Sequence, residues 1–541
     1  MSFRVDFAYS LSVADHIRVP ALRTRTGCQT CRIRRVKCDE GKPACNRCVS
    51  TGRKCDGYDH AILRRKIQTS ADRRDLRTSR KSRSPGRSTN KPSLSQGLAL
   101  ENRRSDDEAR ILQFYRESTV HKVTEIYWDE FWSVVVLQLS LQEPAIKHGL
   151  LALSILHEET LSGGKVPFRD TSAITQYGHA ISNARNLVGR AKSAADSVEK
   201  LKVLVTCILL LCYDNLVGNY NRARIHLQTG LRLFKREYAI SGQFGSQLAR
   251  GEAAAIERIF TQLDLQAMSF SDASAPYPYV DELSDDSETD SIKFTDPTSV
   301  PEALKSLFQI LCSAFRLSAR AHALGLPHLD VSMESAGLKN LLSQWTFFYA
   351  PLHSQQTDVP LSKSLSLLKI YHHTASILLN LDSTAGELAW DAHELSFTSI
   401  LDFASTIIPH NSTPSSNTSS SSSPPTNVFM LTPSLTIPLF LTAFRCRHPM
   451  LRRRAISLLE SLNSTEGPWG SAPAAKVAAA VMKIEEKSRV VKEARDVKLE
   501  DRVSTLVTRV VREVGRVWVS FVVRDEGASG GWKTWSEIVD F

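Results

Sequence analysis

From about Asp106 onward, apolar and polar residues recur at the three- and four-residue spacing of helices. Ser105-Asp106-Asp107-Glu108 reads as a capped, acid-rich helix start ahead of Ile111, Leu112 and Tyr115. Trp128 to Leu139 and Glu143 to Leu161 continue the pattern, and Thr171 to Tyr238 predicts three consecutive helices. The middle one, Val203 to Leu216, is apolar nearly all round, which predicts a central, buried position. Further helices are predicted over 300–324, 333–348, 361–380, 389–408, 434–462, 472–498 and 502–523. In the last, Val503, Val507, Val510, Val514, Val517 and Phe521 form one stripe, with Arg509, Arg512 and Arg516 outside it. No alternating strand series competes, so the body, residues 106–541, is expected to be all-α, compatible with stacked helix pairs.

Two inserts interrupt this texture. One, 281–296, holds seven acidic residues and one Lys; the other, 411–433, contains the run Ser419 to Ser423 followed by Pro424-Pro425. Both are expected to be flexible. Ahead of the body, residues 59–105 read as a basic disordered linker: 61–104 holds 13 Lys/Arg against 3 Asp/Glu and cannot bury a core. Leu63, Leu76, Leu94, Leu98 and Leu100 keep no heptad register there, and Pro85 and Pro92 interrupt the stretch. A coiled-coil dimer is not expected, and dimerisation through the body stays open. The longest apolar run, Val203 to Tyr213, is about half of the ~20 residues that cross a bilayer. The first 27 residues lack an apolar signal-peptide segment, so a soluble intracellular chain is expected.

Composition sharpens this picture only when it is divided. The 541 residues are 42% hydrophobic, enough for a packed core, and carry a net charge of +11. Residues 1–104 hold 25 Lys/Arg and 9 Asp/Glu, a balance of +16, while the remaining 437 hold 43 and 48, a balance of −5. A basic head on a mildly acidic body points to a polyanion partner for the head, with nucleic acid favoured. A membrane surface is the competing polyanion, but the head lacks the apolar stripe that a membrane-bound helix presents.

Six of the ten cysteines fall at Cys28, Cys31, Cys38, Cys45, Cys48 and Cys55, a near-repeat of two C-x2-C-x6-C units. Six thiols allow three disulfides in fifteen pairings, but a reducing compartment and the flanking cations argue against them. Thiolates also ligate zinc in closed tetrahedral sites. Two separate tetrahedra need eight ligands, so six thiolates serve two ions only if two of them bridge both, and the repeat suggests one from each half. The metals would then replace the hydrophobic core that a 30-residue module cannot build.

The run Gly27-Cys28-Gln29-Thr30-Cys31-Arg32, then Lys37-Cys38-Asp39-Glu40, Pro43-Ala44-Cys45, Asn46-Arg47-Cys48 and Cys55 resembles the fungal binuclear zinc cluster DNA-binding domain. All six ligand positions match, as does Pro43 two residues before the fourth cysteine. The resemblance implies a zinc-stabilised module with two short helices, expected over 21–58 behind an N-terminal tail, 1–20. It implies that Cys28 and Cys45 bridge, that Cys31 and Cys38 complete one zinc, and that Cys48 and Cys55 complete the other. Arg32-Ile33-Arg34-Arg35-Val36-Lys37 would lie on a short helix suited to the major groove. In the family, the basic residues three and four positions after the second cysteine read a CGG triplet; here these are Arg34 and Arg35. Phosphate contact alone is the alternative for this run. Arg32, Lys37, Arg47, Arg53 and Lys54 are expected at phosphates, which position without reading sequence.

The body carries a second resemblance. Ile111-Leu112-Gln113-Phe114-Tyr115, the block from Trp128 to Ser133, Glu143-Pro144-Ala145-Ile146-Lys147-His148, Gly218-Asn219-Tyr220 and Leu263-Asp264-Leu265-Gln266-Ala267 are similar to the fungal-specific regulatory domain. That implies regulation without chemistry. An enzyme is not expected: an all-thiolate cluster leaves no open position on zinc. Cys207, Cys212, Cys312 and Cys446 are scattered, His372-His373 lacks a third ligand and reads as helix surface, and no phosphate loop or nucleophile elbow is present. Together with the resemblance, these features lead to the expectation of a nuclear transcription regulator that reads CGG-like triplets in double-stranded DNA with two zinc ions. It would act on RNA polymerase II genes of one metabolic pathway, secondary metabolism included. Transcription machinery would be a partner, recruited by the acidic stretch with Leu283 and Phe294 unless that stretch is a plain solvated loop. The competing reading is a nuclear interaction or ligand-sensing protein whose cluster is mainly structural.

Overall fold

The computed structural model describes residues 28–55 apart from 29, 32–33, 35–37, 40 and 42–43. In the body it describes 107–540 apart from 124–128, 162–170, 194–196, 242–246, 271–276, 278–291, 295, 325–327, 355–358, 383–384, 409–427, 512–514 and 525–531. The expected tail 1–20, the linker 59–105, the acidic residues 281–291 and the serine run lie outside the described residues. The head belongs to one compact unit, Arg18–Glu101, and the body to a second that takes in Asn102–Phe541. In the head, a helical turn at Thr30-Cys31 precedes α1 (Asn46–Val49).

The body is predominantly helical, and its helices pack largely on their sequence neighbours. Helix α2 (Pro144–Leu161) lies on α3 (Thr171–Ser193) and α4 (Ser197–Leu216), and α4 lies on α5 (Tyr220–Ser241) and α6 (Gln247–Ser269). The all-round apolar character of α4 is explained by this setting: Val205, Ile208 and Leu209 are fully buried among four helices. Close approach of α5 to α6 depends on Gly230, where a Cβ would overlap the Phe260 ring. A second core continues through α7 (Val300–Leu324), α8 (His328–Phe348), α9 (Val359–Leu379) and α10 (Glu394–Ile407). Helices α11 (Thr436–Arg445), α12 (Pro449–Leu462) and α13 (Ser471–Glu486) close the helical part. No described helix is long and apolar enough to cross a membrane.

Several expectations are corrected. The single helix expected over 434–462 is two, because Pro449 has no N–H to continue α11 and starts α12 instead. The helix expected over 472–498 stops at Glu486, where Lys487 takes a left-handed conformation (φ 47°) and its N–H caps the Lys483 carbonyl. The end of the insert expected to be flexible, 428–433, instead begins with strand β1 (Val428–Met430), which pairs in parallel with β2 (Ser464–Glu466). Met430, its last residue, joins one hydrophobic core and Leu431 the other. At the end of the acidic insert, Phe294 packs beside Phe348 and Tyr349, at ring separations of 5.7 and 6.2 Å, rather than lying in a solvated loop. His372 and His373 are half-buried: His372 stacks on Trp345 and His373 on Phe403.

The largest correction concerns 502–523. These residues form antiparallel strands β4 (Val503–Val511) and β5 (Arg516–Arg524), turned through Gly515 at φ 62°, with β6 (Trp532–Asp540) on β5. A short antiparallel β3 (Trp469–Gly470) completes the smaller sheet with β2. The valines that simulate a helical stripe also satisfy a period of two: Val517, Val519, Phe521 and Val523 all face the core, and β-branched residues favour strands. The all-α expectation therefore holds for the body's bulk and fails at the small sheet β1–β3 and at the strands β4–β6.

The start of β4 is tied to the α11–α12 corner by buried ion pairs. Arg452 donates to the carbonyls of Ala443 (3.0 Å) and Phe444 (3.1 Å), and Arg447 to that of Arg445 (2.9 Å), which satisfies the end of α11. Glu485 of α13 accepts from Arg447 (3.0 Å), Arg452 (2.5 Å) and the Val503 N–H (2.8 Å). Glu387 accepts from Arg445 (3.0 Å) and Arg447 (2.9 Å), and Arg502 forks onto Asp391 at 2.8 and 2.7 Å. Burial would raise the Glu485 carboxyl, but Arg447 and Arg452 prevail and hold it at about 2, below its ordinary 4.5.

Removing this carboxylate leaves two buried guanidinium groups without their shared partner. Glu485→Ala should cost roughly 3–5 kcal/mol in urea unfolding. Because the folded pKa is depressed, the contribution is complete above the unfolded value and is lost as pH falls from 4.5 toward about 2. The stability gap between the parent and Glu485→Gln should therefore narrow across that range, and a gap that stays constant would contradict the assignment.

Candidate metal centre and nucleic-acid interface

Among the described residues, the centre of the head is a cluster of sulfurs. Cys28, Cys31, Cys45 and Cys48 are fully buried and Cys38 nearly so, with Cys55 packed half-buried against them. The two C-x2-C steps sit on helical turns, which is what aims both sulfurs of each step inward: the Cys31 N–H points to Cys28 Sγ at 3.4 Å, and the Val49 N–H bonds the Cys45 carbonyl at 3.1 Å. Across the halves, Cys28 Sγ lies 3.6 Å from Cys45 and 3.8 Å from Cys48, and Cys31 Sγ lies 3.7 Å from each of the same two. Cys38 joins through the Cys28 N–H, 3.4 Å from its sulfur, and lies with Cys45 and Asp39 in a second cluster.

These separations fit a metal. Sulfurs placed tetrahedrally about 2.3 Å from a zinc ion are about 3.8 Å apart. Burial among sulfurs pushes the Cys28 thiol up to about 12 and raises Cys31 and Cys45 as well, so zinc must displace protons to bind. Cys31 and Cys48, expected on different ions, are as close as the other pairs.

Polar groups brace the cluster. The Asp39 carboxylate accepts from the N–H groups of Asn46 and Arg47, both at 2.9 Å, and so caps the start of α1; these bonds hold its pKa below the usual value. Thr30 Oγ1 donates to the Lys54 carbonyl at 3.2 Å and links the halves. The helical turn reaches Arg34, whose N–H bonds the Thr30 carbonyl at 3.1 Å. Its side chain is half-buried and donates to Thr51 Oγ1 at 3.2 Å, while Thr51 donates back to the end of α1. Arg47, Arg53 and Lys54 are exposed, available to a polyanion. Arg32, Arg35 and Lys37 lie outside the described residues. Sequence pattern alone marks neither Asp39 nor Thr51 as a site residue. Asp39 directly follows a ligand cysteine, but nothing local shows that it reaches α1.

Comparison with known proteins agrees with this geometry. The model of the fungal Zn(2)-Cys(6) binuclear cluster domain matches residues 26–65, and that of the fungal specific transcription factor domain matches 110–479. The aspercryptin biosynthesis cluster-specific transcription regulator atnN of Emericella nidulans is 30% identical over 272 residues, which cover 48% of this chain and 42% of that protein. The transcription regulator lscL of Purpureocillium lilacinum is 28% identical over 212 residues, 37% of this chain and 46% of its own. The match thus spans less than half the length of either relative. The transcriptional regulatory protein moc3 of Schizosaccharomyces pombe is 59% identical over 39 residues, 7% of this chain and 8% of its own. No solved structure matches the chain. The family and these relatives are transcription regulators, not enzymes. With one family model spanning well over half of its length and the other spanning its cysteine cluster, this chain belongs to the fungal specific transcription factor domain family and carries a zinc-binding Zn(2)-Cys(6) binuclear cluster at its head.

Proposed function

We propose that the chain is a nuclear, sequence-specific DNA-binding regulator of RNA polymerase II genes. The observation that carries this reading is the buried sulfur cluster at zinc-compatible spacing beneath a cationic surface. Cys28 and Cys45 bridge two ions, Cys31 and Cys38 complete one, and Cys48 and Cys55 complete the other. Arg34 and Arg35 enter the major groove and bond guanine O6 and N7 of a CGG-like triplet. Thr51 fixes the Arg34 guanidinium, which reduces the rotamer freedom lost on binding. Arg32, Lys37, Arg47, Arg53 and Lys54 hold phosphates and supply the salt-dependent part of affinity.

Arg64-Arg65-Lys66 and Arg80-Lys81-Ser82-Arg83, outside the described residues, act as nuclear import signals. The printed name of the Emericella nidulans relative supports a biosynthetic gene cluster as the target. The body regulates the head, and the acidic residues near 281–291 contact the transcription machinery.

Two expected outcomes test this reading. Cys45→Ala removes a ligand from both ions, so the variant head should retain fewer than two zinc ions by mass spectrometry under native conditions. It should also lose its helical circular dichroism; a folded variant holding both ions would refute bridging. In binding selection from random duplex DNA with the zinc-loaded chain, the parent should enrich a CGG-type triplet, and Arg34→Ala/Arg35→Ala should not. Arg35→Ala alone should cost roughly 1–3 kcal/mol at the selected site and far less on random DNA. Equal losses on both would reduce Arg35 to a phosphate contact.

A further inference from the structure

Helix α13 (Ser471–Glu486) buries one face and leaves the other to solvent. Ala474, Ala475, Val477, Ala478 and Val481 pack into the core, which fixes how the helix is turned. Ala472, Lys476, Lys483 and Lys487 are exposed at spacings of four, seven and four residues, so they follow one line along the outer face. On this line only Ala479 and Ala480, both half-buried, stand between Lys476 and Lys483. Past the helix, Lys487 and Ser488 take left-handed conformations, at φ 47° and 60°. They turn Arg489 back against the helix end, where its N–H bonds the Glu486 carbonyl at 2.8 Å.

This strip carries an excess of positive charge. Lys476 and Lys483 have no ion-pair partner among the described residues, and Lys487 and Arg489 share the single carboxylate of Asp501. The acids at the helix end are engaged elsewhere, Glu485 by Arg447 and Arg452 and Glu486 by Arg453. Further along the loop the charges cancel: Arg495 pairs with Glu493 at 2.6 Å, and Asp496 lies beside Lys492, whose N–H it accepts. Four cations therefore face one carboxylate on a body that is acidic as a whole.

We propose that this strip is a second nucleic-acid contact, which holds backbone phosphates of the duplex that the head binds and reads no sequence. The inference rests on the reading of the head as a DNA-binding module. A duplex carries one charge per about 1.7 Å of its axis; it repels an acidic body, and turning the strip toward it offsets that repulsion. Seven helical residues set Lys476 and Lys483 about 10 Å apart, the rise of about three phosphates along one strand. Lysine suits the task, because its flexible stem brings a point charge to a phosphate without a base-reading geometry. Chain connectivity makes the contact intramolecular once the head is bound, so a strip too weak to hold DNA alone still adds to affinity.

The test is fluorescence anisotropy of the full zinc-loaded chain on a labelled duplex of about 40 bp with one CGG triplet, from about 50 to about 300 mM KCl. Each phosphate contact contributes about 0.9 to the slope of log K against log salt. Lys476→Ala/Lys483→Ala should therefore lower the magnitude of the slope by about 2 and weaken binding about tenfold or more at about 100 mM. The loss should be the same on a random duplex, because phosphates carry no sequence. Lys476→Arg/Lys483→Arg should keep the parent slope. Lys293→Ala/Lys339→Ala, which removes two exposed lysines elsewhere on the body, should keep it too. An unmoved slope in the first variant would overturn the proposal and leave the strip to an acidic protein surface. The reading of the head would survive that result wherever the parent prefers the triplet and Arg34→Ala/Arg35→Ala does not. An equal fall in the Lys293 and Lys339 variant would reduce the effect to net charge and overturn the strip as well. A parent without triplet preference fails the reading of the head, and the slopes on random duplex then judge the strip. A parent that binds no duplex overturns both.

Discussion

The body depends on Glu485, a fully buried carboxylate held between Arg447 and Arg452. A buried charge is tolerable only when its partners are close and its remaining lone pairs are used. Glu485 meets both conditions, because its oxygens also accept the Val503 N–H. The same arginines cap the carbonyls at the end of α11, so one cluster ends a helix, turns the chain into α12 and docks the terminal sheet. A comparable carboxylate, Glu466, starts α11: it accepts from the N–H groups of Ser434, Leu435 and Thr436 and from the Thr436 hydroxyl. Two buried glutamates from distant segments therefore fix both ends of α11, and the residues around 428–435 are drawn between the two hydrophobic cores.

The head solves a different problem. Among its described residues the buried cluster is made of cysteines, and a chain this short can build little apolar core. Metal binding must supply the stability that packing cannot, so folding and zinc loading become one event. What surrounds the sulfurs serves presentation: Asp39 starts α1, Thr30 ties the halves, and Thr51 restrains Arg34. The head thus offers a rigid cationic surface while the larger body is stabilised separately by hydrophobic burial and ion pairs.

Local pattern was enough for much of this. The C-x2-C-x6-C repeat brings out the metal centre because thiolate chemistry at fixed spacing leaves few alternatives. Helices such as Val300–Leu324 and Pro144–Leu161 are legible because a 3.6-residue period over many turns is hard to imitate. The valines after residue 502 show the limit: spacings of four, three, four, three and four satisfy a helix, while neighbours at spacings of two satisfy a strand. Pairing with β5 and β6 and burial against the core decide between them, and neither is a local property. Phe294 and Leu431 lie within inserts whose composition predicts flexibility, although the cores claim both side chains.

The sequence by itself determined a six-thiolate head with its basic surroundings and a largely helical body, because ligand chemistry and helical periodicity act over a few residues. Only the tertiary structure decided that Arg34 leans on Thr51, that Glu485 gathers Arg447, Arg452 and Val503, and that β4, β5 and β6 pair as one sheet. Those outcomes rest on groups far apart in sequence. Their interaction energies appear only when folding brings them together and removes them from water.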